Sequence, residues 1–174
     1  MFNRRSVLRL AAGAAALGLV PAAVRAAAPA GGLGESGSLE AALAATDLIY
    51  LTPLKADGSE SRCQSEIWFV ADATDIYVVT AADAWRARAV KSGLHQARVW
   101  VGDLGTWTKT EGRYRTLPQI EATGESVTAP ADHERVLELF GSKYSMSWLV
   151  WGPRFRNGLA DGSRVMLRYR PVVA

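Results

Sequence analysis

The pattern of hydrophobic and polar positions predicts short strands along most of the chain. From Leu48 onward, apolar side chains alternate with polar ones, which is the period of a half-buried strand. Turn signals separate these segments, and Asp57-Gly58 in particular is typical of a hairpin. The predicted strands cover residues 48–54, 61–71, 76–80, 96–101, 106–110 and 163–173, with an extended segment at 114–127 that is broken near Pro118.

Three helices interrupt the strands. Ser38 is the predicted cap of a helix at 39–45, and Asp83 and Gly93 bound a second helix. Pro130 opens the third, at 130–140, which Gly141 is expected to end before an irregular aromatic segment at 144–155. Because strands and helices do not alternate regularly, a doubly wound parallel sheet is disfavoured. The pattern favours a mainly β (α+β) fold with about six antiparallel strands in a small barrel and about three peripheral helices.

The first 28 residues have the pattern of an export signal. Arg4-Arg5 precede an uninterrupted apolar run at 10–20, and small residues follow Pro21. The arginine pair indicates the twin-arginine route, and the apolar run is shorter than the ~20 residues of a membrane-spanning helix. We therefore expect cleavage after Ala26 or Ala28, a flexible lead-in at 29–37, one domain at 38–174, and a periplasmic or secreted protein with no stable membrane anchor.

Removal of that signal changes the charge of the protein. The whole chain has 20 Lys and Arg against 17 Asp and Glu. Four of the basic residues and none of the acidic ones fall in the signal, so the mature domain has a net charge of −1. This balance does not favour a nucleic-acid partner. Cys63 is the single cysteine, which excludes an intramolecular disulfide, and a packed core must supply the stability.

Several segments resemble the split-barrel flavin-binding proteins of the pyridoxamine-phosphate-oxidase-like superfamily. The first hairpin has an Asp-Gly turn followed by Trp68-Phe69, and the third strand ends in Tyr77-Val78-Val79-Thr80. A basic residue, Arg86, follows six positions later, and Lys143-Tyr144 come after the last helix. The sequence departs from the family where Ala84-Trp85 precede that arginine and where the oxidase has its phosphate-binding basic pair. The resemblance is therefore to a distant, exported member rather than to the vitamin B6 enzyme.

The resemblance implies a homodimer with a flavin-type nucleotide, FMN or a deazaflavin, between its subunits. Thr80, Arg86 and Arg88 are the implied phosphate ligands, and a helix N-terminus beside a guanidinium suits an anion on physical grounds. Glu66 and Trp68 on the second strand are implied to contact the ring, and Trp85 could stack on it. The bound flavin would supply the redox chemistry, and the sequence identifies no catalytic acid or base.

Other functions remain open at this point. Some split barrels bind haem through a histidine, and the chain has His95 and His133. Zinc and Ser–His–Asp chemistry are poorly supported, although Ser145, His133 and Asp132 could form such a triad on paper. The main alternative to a flavin-dependent oxidoreductase of unknown substrate is a cofactor-free binding module, in which aromatic residues such as Trp148 and Trp151 recognise a ligand or a partner.

Overall fold

The computed structural model describes residues 36–172, so the predicted signal and most of the lead-in lie outside the described residues. This range contains three α-helices and seven strands, and the strands form one antiparallel sheet with the order β2-β1-β5-β6-β7-β4-β3. The elements are α1 (Ser36–Ala44), β1 (Leu48–Pro53), β2 (Ser65–Trp68), β3 (Val70–Asp72), β4 (Asp75–Ala81), α2 (Trp85–Lys91), β5 (Gln96–Val101), β6 (Gln119–Val127), α3 (Pro130–Ala160) and β7 (Arg164–Pro171).

The sheet curls into a nearly closed barrel because one stretch of chain contributes to both of its edges. β2 pairs with β1 at one edge, and β3 pairs with β4 at the other, yet only Phe69 separates β2 from β3 in sequence. The predicted fold class is thereby confirmed. The strand count is seven rather than about six: the segment predicted as one strand at 61–71 divides at Phe69 into two, the extended segment forms β6, and no strand forms at 106–110.

Tyr144 forms hydrogen bonds with the backbone at Phe69, where the chain passes from one edge of the sheet to the other. Its hydroxyl oxygen accepts a hydrogen bond from the Phe69 N–H at 3.0 Å and lies 2.8 Å from both the Phe69 and Asp47 carbonyl oxygens. Within the described residues, neither Phe69 nor Asp47 is part of a strand pairing, so this side chain supplies hydrogen bonds that a ladder would otherwise provide. Burial raises the pKa of Tyr144 well above its usual range, and the hydroxyl therefore keeps its proton for donation.

The barrel interior is apolar. The residues that face it come from alternate positions on the strands, as the period of two requires. Gly124 on β6 makes room for a large neighbour, because a Cβ there would lie 2.6 Å from Cε1 of Tyr169. The interior is filled mainly by Ile49, Leu51, Phe69, Ile76, Val78, Ala97, Val99, Ala122, Leu167 and Tyr169.

The third helix is longer than the sequence pattern predicts. α3 runs through Gly141 and through the segment expected to be irregular, with a break in helical geometry at Ser145, where φ is 35°. Gly141 and Gly152 are required by packing rather than by helix termination. A Cβ at either position would lie within about 3 Å of the Trp148 ring, which stacks on Phe140.

The predicted strand at 106–110 is wrong. This segment forms a 3-10 helix at Trp107–Thr110, and a second one follows at Arg113–Thr116. The hydroxyls of Thr110 and Thr116 donate to carbonyls three residues earlier, which favours turns over a ladder. The extended segment predicted from residue 114 therefore reduces to β6.

Two helix starts also differ from the prediction. α1 begins at Ser36, so Ser38 lies inside the helix rather than capping it. α2 has Ala84 as its N-cap in place of Asp83, whereas Gly93 has the positive φ, 85°, expected just after a helix end. No helix within residues 36–172 has the length and apolar character needed to cross a membrane.

Candidate functional site

The side chain of Arg86 joins three elements at one end of the barrel. It comes from the first turn of α2, and one of its terminal nitrogens donates to the Thr80 hydroxyl at 2.7 Å, at the end of β4. Its other terminal nitrogen donates to the hydroxyl of Ser65, the first residue of β2. The structure therefore brings together Thr80 and Arg86, two of the three predicted phosphate ligands.

The positive charge of Arg86 has neutral partners only. Within residues 36–172, no carboxylate forms an ion pair with this guanidinium, and its Nε is a buried donor without an acceptor. The hydroxyls of Ser65 and Thr80 accept from Arg86, so each still has its own hydrogen to donate. Buried donors around an uncompensated cation are what an anionic ligand group would satisfy.

Tyr169 contributes another donor of this kind. Its side chain is 1% exposed, and its hydroxyl has no partner within the part of the chain that the structure describes. Burial is the largest cause of the raised pKa of Tyr169, while the Arg86 charge lowers it and Cys63 raises it further. Tyr169 is therefore a neutral donor in the neighbourhood of Arg86 and Cys63.

An open cavity of about 540 Å³ lies beside this cluster. Cationic side chains outnumber its single carboxylate, Glu60, which is already paired with Arg98 and Arg115. Trp85 is 38% exposed at the edge of the cavity, and the guanidinium carbon of Arg88 lies 5.6 Å from its ring centroid. The cavity is lined by Lys55, Glu60, Ser61, Arg62, Cys63 and Trp85.

Glu66 and Trp68 lie away from Arg86. Both face the outside of the barrel, opposite to Ser65 and Ile67, because successive residues of β2 point to opposite faces. A Glu66 carboxylate oxygen accepts from the Trp107 N–H at 3.0 Å. Trp68 stacks on Tyr144 at 4.3 Å and packs beneath α3. Their contact with a bound ring stays a prediction.

Ser65 and Tyr169 are site residues that sequence reasoning missed. Ser65 shares the inward face of β2 with Ile67, and a polar residue on an apolar face is the one signal that could have pointed to it. Tyr169 has no such signal, because it follows the regular alternation of β7. Lys55 and Arg62 were not distinguished from other charged loop residues.

The alternative chemistries gain no geometric support. His95 is exposed and hydrogen-bonded to the Gly124 carbonyl, and His133 is hydrogen-bonded to the Val127 carbonyl. Ser145 and His133 are 12 residues apart on α3, about 18 Å along a helix, which is too far for a triad. No group of three or more His, Cys, Asp or Glu side chains in residues 36–172 could hold a metal ion.

Comparison with known proteins finds similarity in structure only. No family model matches the chain, and no curated protein matches it in sequence. Among solved structures, a Listeria innocua protein named for pyridoxamine 5'-phosphate oxidase is 14% identical with a TM-score of 0.52, over 78% of this chain and 92% of that one. HutZ, the haem storage protein from Vibrio cholerae, is 15% identical with a TM-score of 0.54, over 78% and 89%.

A conserved hypothetical protein from Mycobacterium tuberculosis is similar to the same extent, at 16% identity and a TM-score of 0.54 over 82% of this chain and 86% of that one. These similarities show that the chain has the split-barrel fold of the pyridoxamine-phosphate-oxidase-like proteins. The resemblance predicted from the sequence is thus confirmed at the level of the fold. The names of these neighbours include both a pyridoxamine 5'-phosphate oxidase and a haem storage protein, so the ligand must be argued from this chain's own residues.

Proposed function

We propose that the chain is an exported split-barrel protein that binds a flavin-type nucleotide, FMN or a deazaflavin, through its phosphate at Arg86. The observation that supports this most strongly is the arrangement around that residue. A guanidinium with no carboxylate partner in residues 36–172 donates to the hydroxyls of Ser65 and Thr80 and lies near that of Tyr169. Two buried donors of this cluster, the Arg86 Nε and the Tyr169 hydroxyl, have no acceptor in those residues. A phosphate group supplies both the missing negative charge and the missing acceptors.

The other residues of the site have distinct parts in this proposal. Arg88 and Trp85 stand together at the edge of the cavity, where an aromatic face and a second cation suit a ring system that carries an anionic tail. Lys55 and Arg62 add positive charge to the lining. When bound, the flavin supplies the hydride or electron transfer, and the protein binds and orients it. The protein would therefore be an oxidoreductase of unassigned substrate, and the redox partner is also unassigned.

We also propose that the protein is exported from the cytoplasm. Arg4-Arg5, the apolar run at 10–20 and the small residues before position 28 form the predicted export signal. The twin-arginine route carries proteins that have folded first, so the nucleotide would be bound in the cytoplasm and exported with the protein.

An absorbance spectrum of the protein, purified from its own cytoplasm with the signal intact, tests the proposal. A bound flavin is expected to give bands near ~370 and ~450 nm, and a deazaflavin a band near ~420 nm. Protein without colour should bind added FMN with a Kd of about 1 µM, measured by quenching of flavin fluorescence. A colourless protein that does not bind FMN would overturn the proposal, as would a sharp, intense haem band.

A second candidate function rests on an apolar stripe on α3. Met146, Leu149 and Val150 are 78%, 71% and 56% exposed and lie on one face of the helix at spacings of three and four residues. An exposed patch of this kind is typical of a contact surface. We propose that it contacts a second copy of the chain, which fits the homodimer implied by the family resemblance. If the protein binds no nucleotide, self-association through this stripe would be its function, and the protein would be a cofactor-free binding module.

Leu149→Ser is expected to weaken self-association by at least about 10-fold, because it removes an apolar side chain from the centre of the stripe. Sedimentation equilibrium over a range of concentrations measures this effect. Leu104→Ser is the matched control, since Leu104 is also exposed, at 41%, but lies in the loop after β5. Equal association of the two variants would exclude the stripe as the contact.

A further inference from the structure

Lys143 lies where the barrel wall divides, and it lines a different cavity from the one beside Arg86. It precedes Tyr144 on α3, and its Nζ is 3.5 Å from the ring centroid of Phe69 and 5.7 Å from that of Tyr144. Phe69 is fully buried and marks the point where β2 ends and β3 begins. The amine is thus held against aromatic faces rather than in water.

The amine nitrogen has no hydrogen-bond acceptor and no ion-pair partner in residues 36–172. Burial lowers the pKa of Lys143 to about 8, while the Asp47 charge acts in the opposite direction. The Phe69 ring also favours the charged amine, but a ring face accepts no strong hydrogen bond and replaces little of the lost hydration. About a tenth of the amine is therefore unprotonated, and nucleophilic, at pH 7, far more than for a lysine of ordinary pKa.

A cavity of about 600 Å³ gives this amine access to small molecules. It lies between α1, β3 and α3. Its charged lining groups besides Lys143 are Glu40 on α1 and Asp47 in the loop that follows, and β3 contributes only apolar side chains. The lining also includes Leu43, Ala44, Val70, Ala71, Ala73, Leu139 and Ser142. Two carboxylates and an apolar wall suit an uncharged or cationic organic molecule and disfavour an anion.

We propose that Lys143 is a nucleophilic amine that captures small uncharged or cationic aldehydes as imines in this cavity. The lone pair of Nζ attacks the carbonyl carbon and forms the C–N bond. The carbonyl oxygen leaves as water and takes both amine hydrogens, so the step needs no oxidant or reductant. Hydrolysis of the imine returns the aldehyde and the free amine. The cavity lies outside the nucleotide site, so this activity does not depend on the proposed function.

The chain contains its own controls for the test. It has four lysines, and Lys55, Lys91 and Lys109 are all exposed. The full chain is incubated at pH 7.5 with a limiting amount of propionaldehyde and cyanoborohydride, and the modified peptides are quantified by mass spectrometry. We expect Lys143 to be modified at least about 10-fold faster than the other three lysines. The α-amino group appears in a separate peptide and does not interfere. Lys143→Arg should remove the fast component.

The pH profile and the charge of the aldehyde sharpen the result. Because cyanoborohydride reduces every imine more slowly as the pH rises, the rate at Lys143 is divided by the rate at the exposed lysines. This ratio is expected to fall above about pH 8, where the Lys143 amine is already largely unprotonated. Glyoxylate, which is anionic, should modify Lys143 at least about 10-fold more slowly than propionaldehyde relative to Lys91. Modification of Lys143 no faster than that of the exposed lysines would overturn the proposal. So would a profile identical to theirs, or a preference for glyoxylate.

Discussion

Replacing Arg86 with methionine is expected to weaken FMN binding by about 100-fold and to change the stability of the unliganded protein by less than about 1 kcal/mol. Binding falls because the phosphate loses its charged donor. Stability changes little because Arg86 is partly buried and pairs with neutral hydroxyls, so its removal also removes a desolvation cost. Fluorescence titration with FMN and urea unfolding measure the two effects.

Arg88→Met is the matched control for this prediction. Arg88 is exposed and contacts Trp85, and its loss should weaken FMN binding by no more than about 10-fold. A loss of stability in Arg86→Met without a loss of FMN affinity would contradict a role of Arg86 in binding phosphate. If Arg86→Met lowers the free energy of unfolding by 2 kcal/mol or more and leaves FMN affinity unchanged, Arg86 is a structural link between α2, β4 and β2.

Removing the hydroxyl of Tyr144 is expected to lower the free energy of unfolding by about 3 kcal/mol. Tyr144→Phe keeps the stacked contact with Trp68 but removes the acceptor of the Phe69 N–H and the one hydroxyl hydrogen that the Phe69 and Asp47 carbonyls share. Among the described residues, Phe69 belongs to neither β2 nor β3, so no strand pairing replaces these bonds. Urea unfolding with an unchanged m value would report the loss.

Tyr169→Phe makes the same chemical change with the opposite expectation. The Tyr169 hydroxyl is buried without a partner in the described residues, so its removal should leave stability unchanged or raise it by up to about 1 kcal/mol. The pair of variants separates a satisfied hydroxyl from an unsatisfied one. An unchanged free energy of unfolding in Tyr144→Phe would show that the Tyr144 bonds do not stabilise the chain at Phe69, and a loss in Tyr169→Phe equal to that in Tyr144→Phe would show that the Tyr169 hydroxyl is not unsatisfied.

Much of the fold could be predicted because its signals are local. The strand β7 follows alternation of apolar and polar residues, and β1, β4 and β5 are short apolar runs bounded by turn residues. Each lies within two residues of its predicted bounds. The site was predicted in part for a similar reason. Thr80 ends a strand and Arg86 begins the next helix, so their proximity follows from a short connection and from the family resemblance.

The wrong predictions share a different cause. Glycine is typical of a helix end, and the helix was predicted to end at Gly141. The Trp148 ring packs against Gly141 instead, and the helix continues past it. Residues 106–110 have strand-like composition, but Trp107–Thr110 form a 3-10 helix, and Tyr114 in the next 3-10 helix stacks on Tyr50. In each case a packing contact outweighs a local preference of at most about 1 kcal/mol per residue.

The sequence by itself determined the class of fold, the order of most elements and the basic residue at the start of α2, because periodicity, turn residues and helix signals act over a few positions. Only the tertiary structure decided that one strand divides at Phe69 and that Tyr144 satisfies the backbone there. It also decided that Ser65 and Tyr169 join Arg86, and that Lys143 lies against an aromatic ring at the edge of a cavity. These arrangements depend on which buried groups find partners across the barrel, and such partners are far apart in sequence.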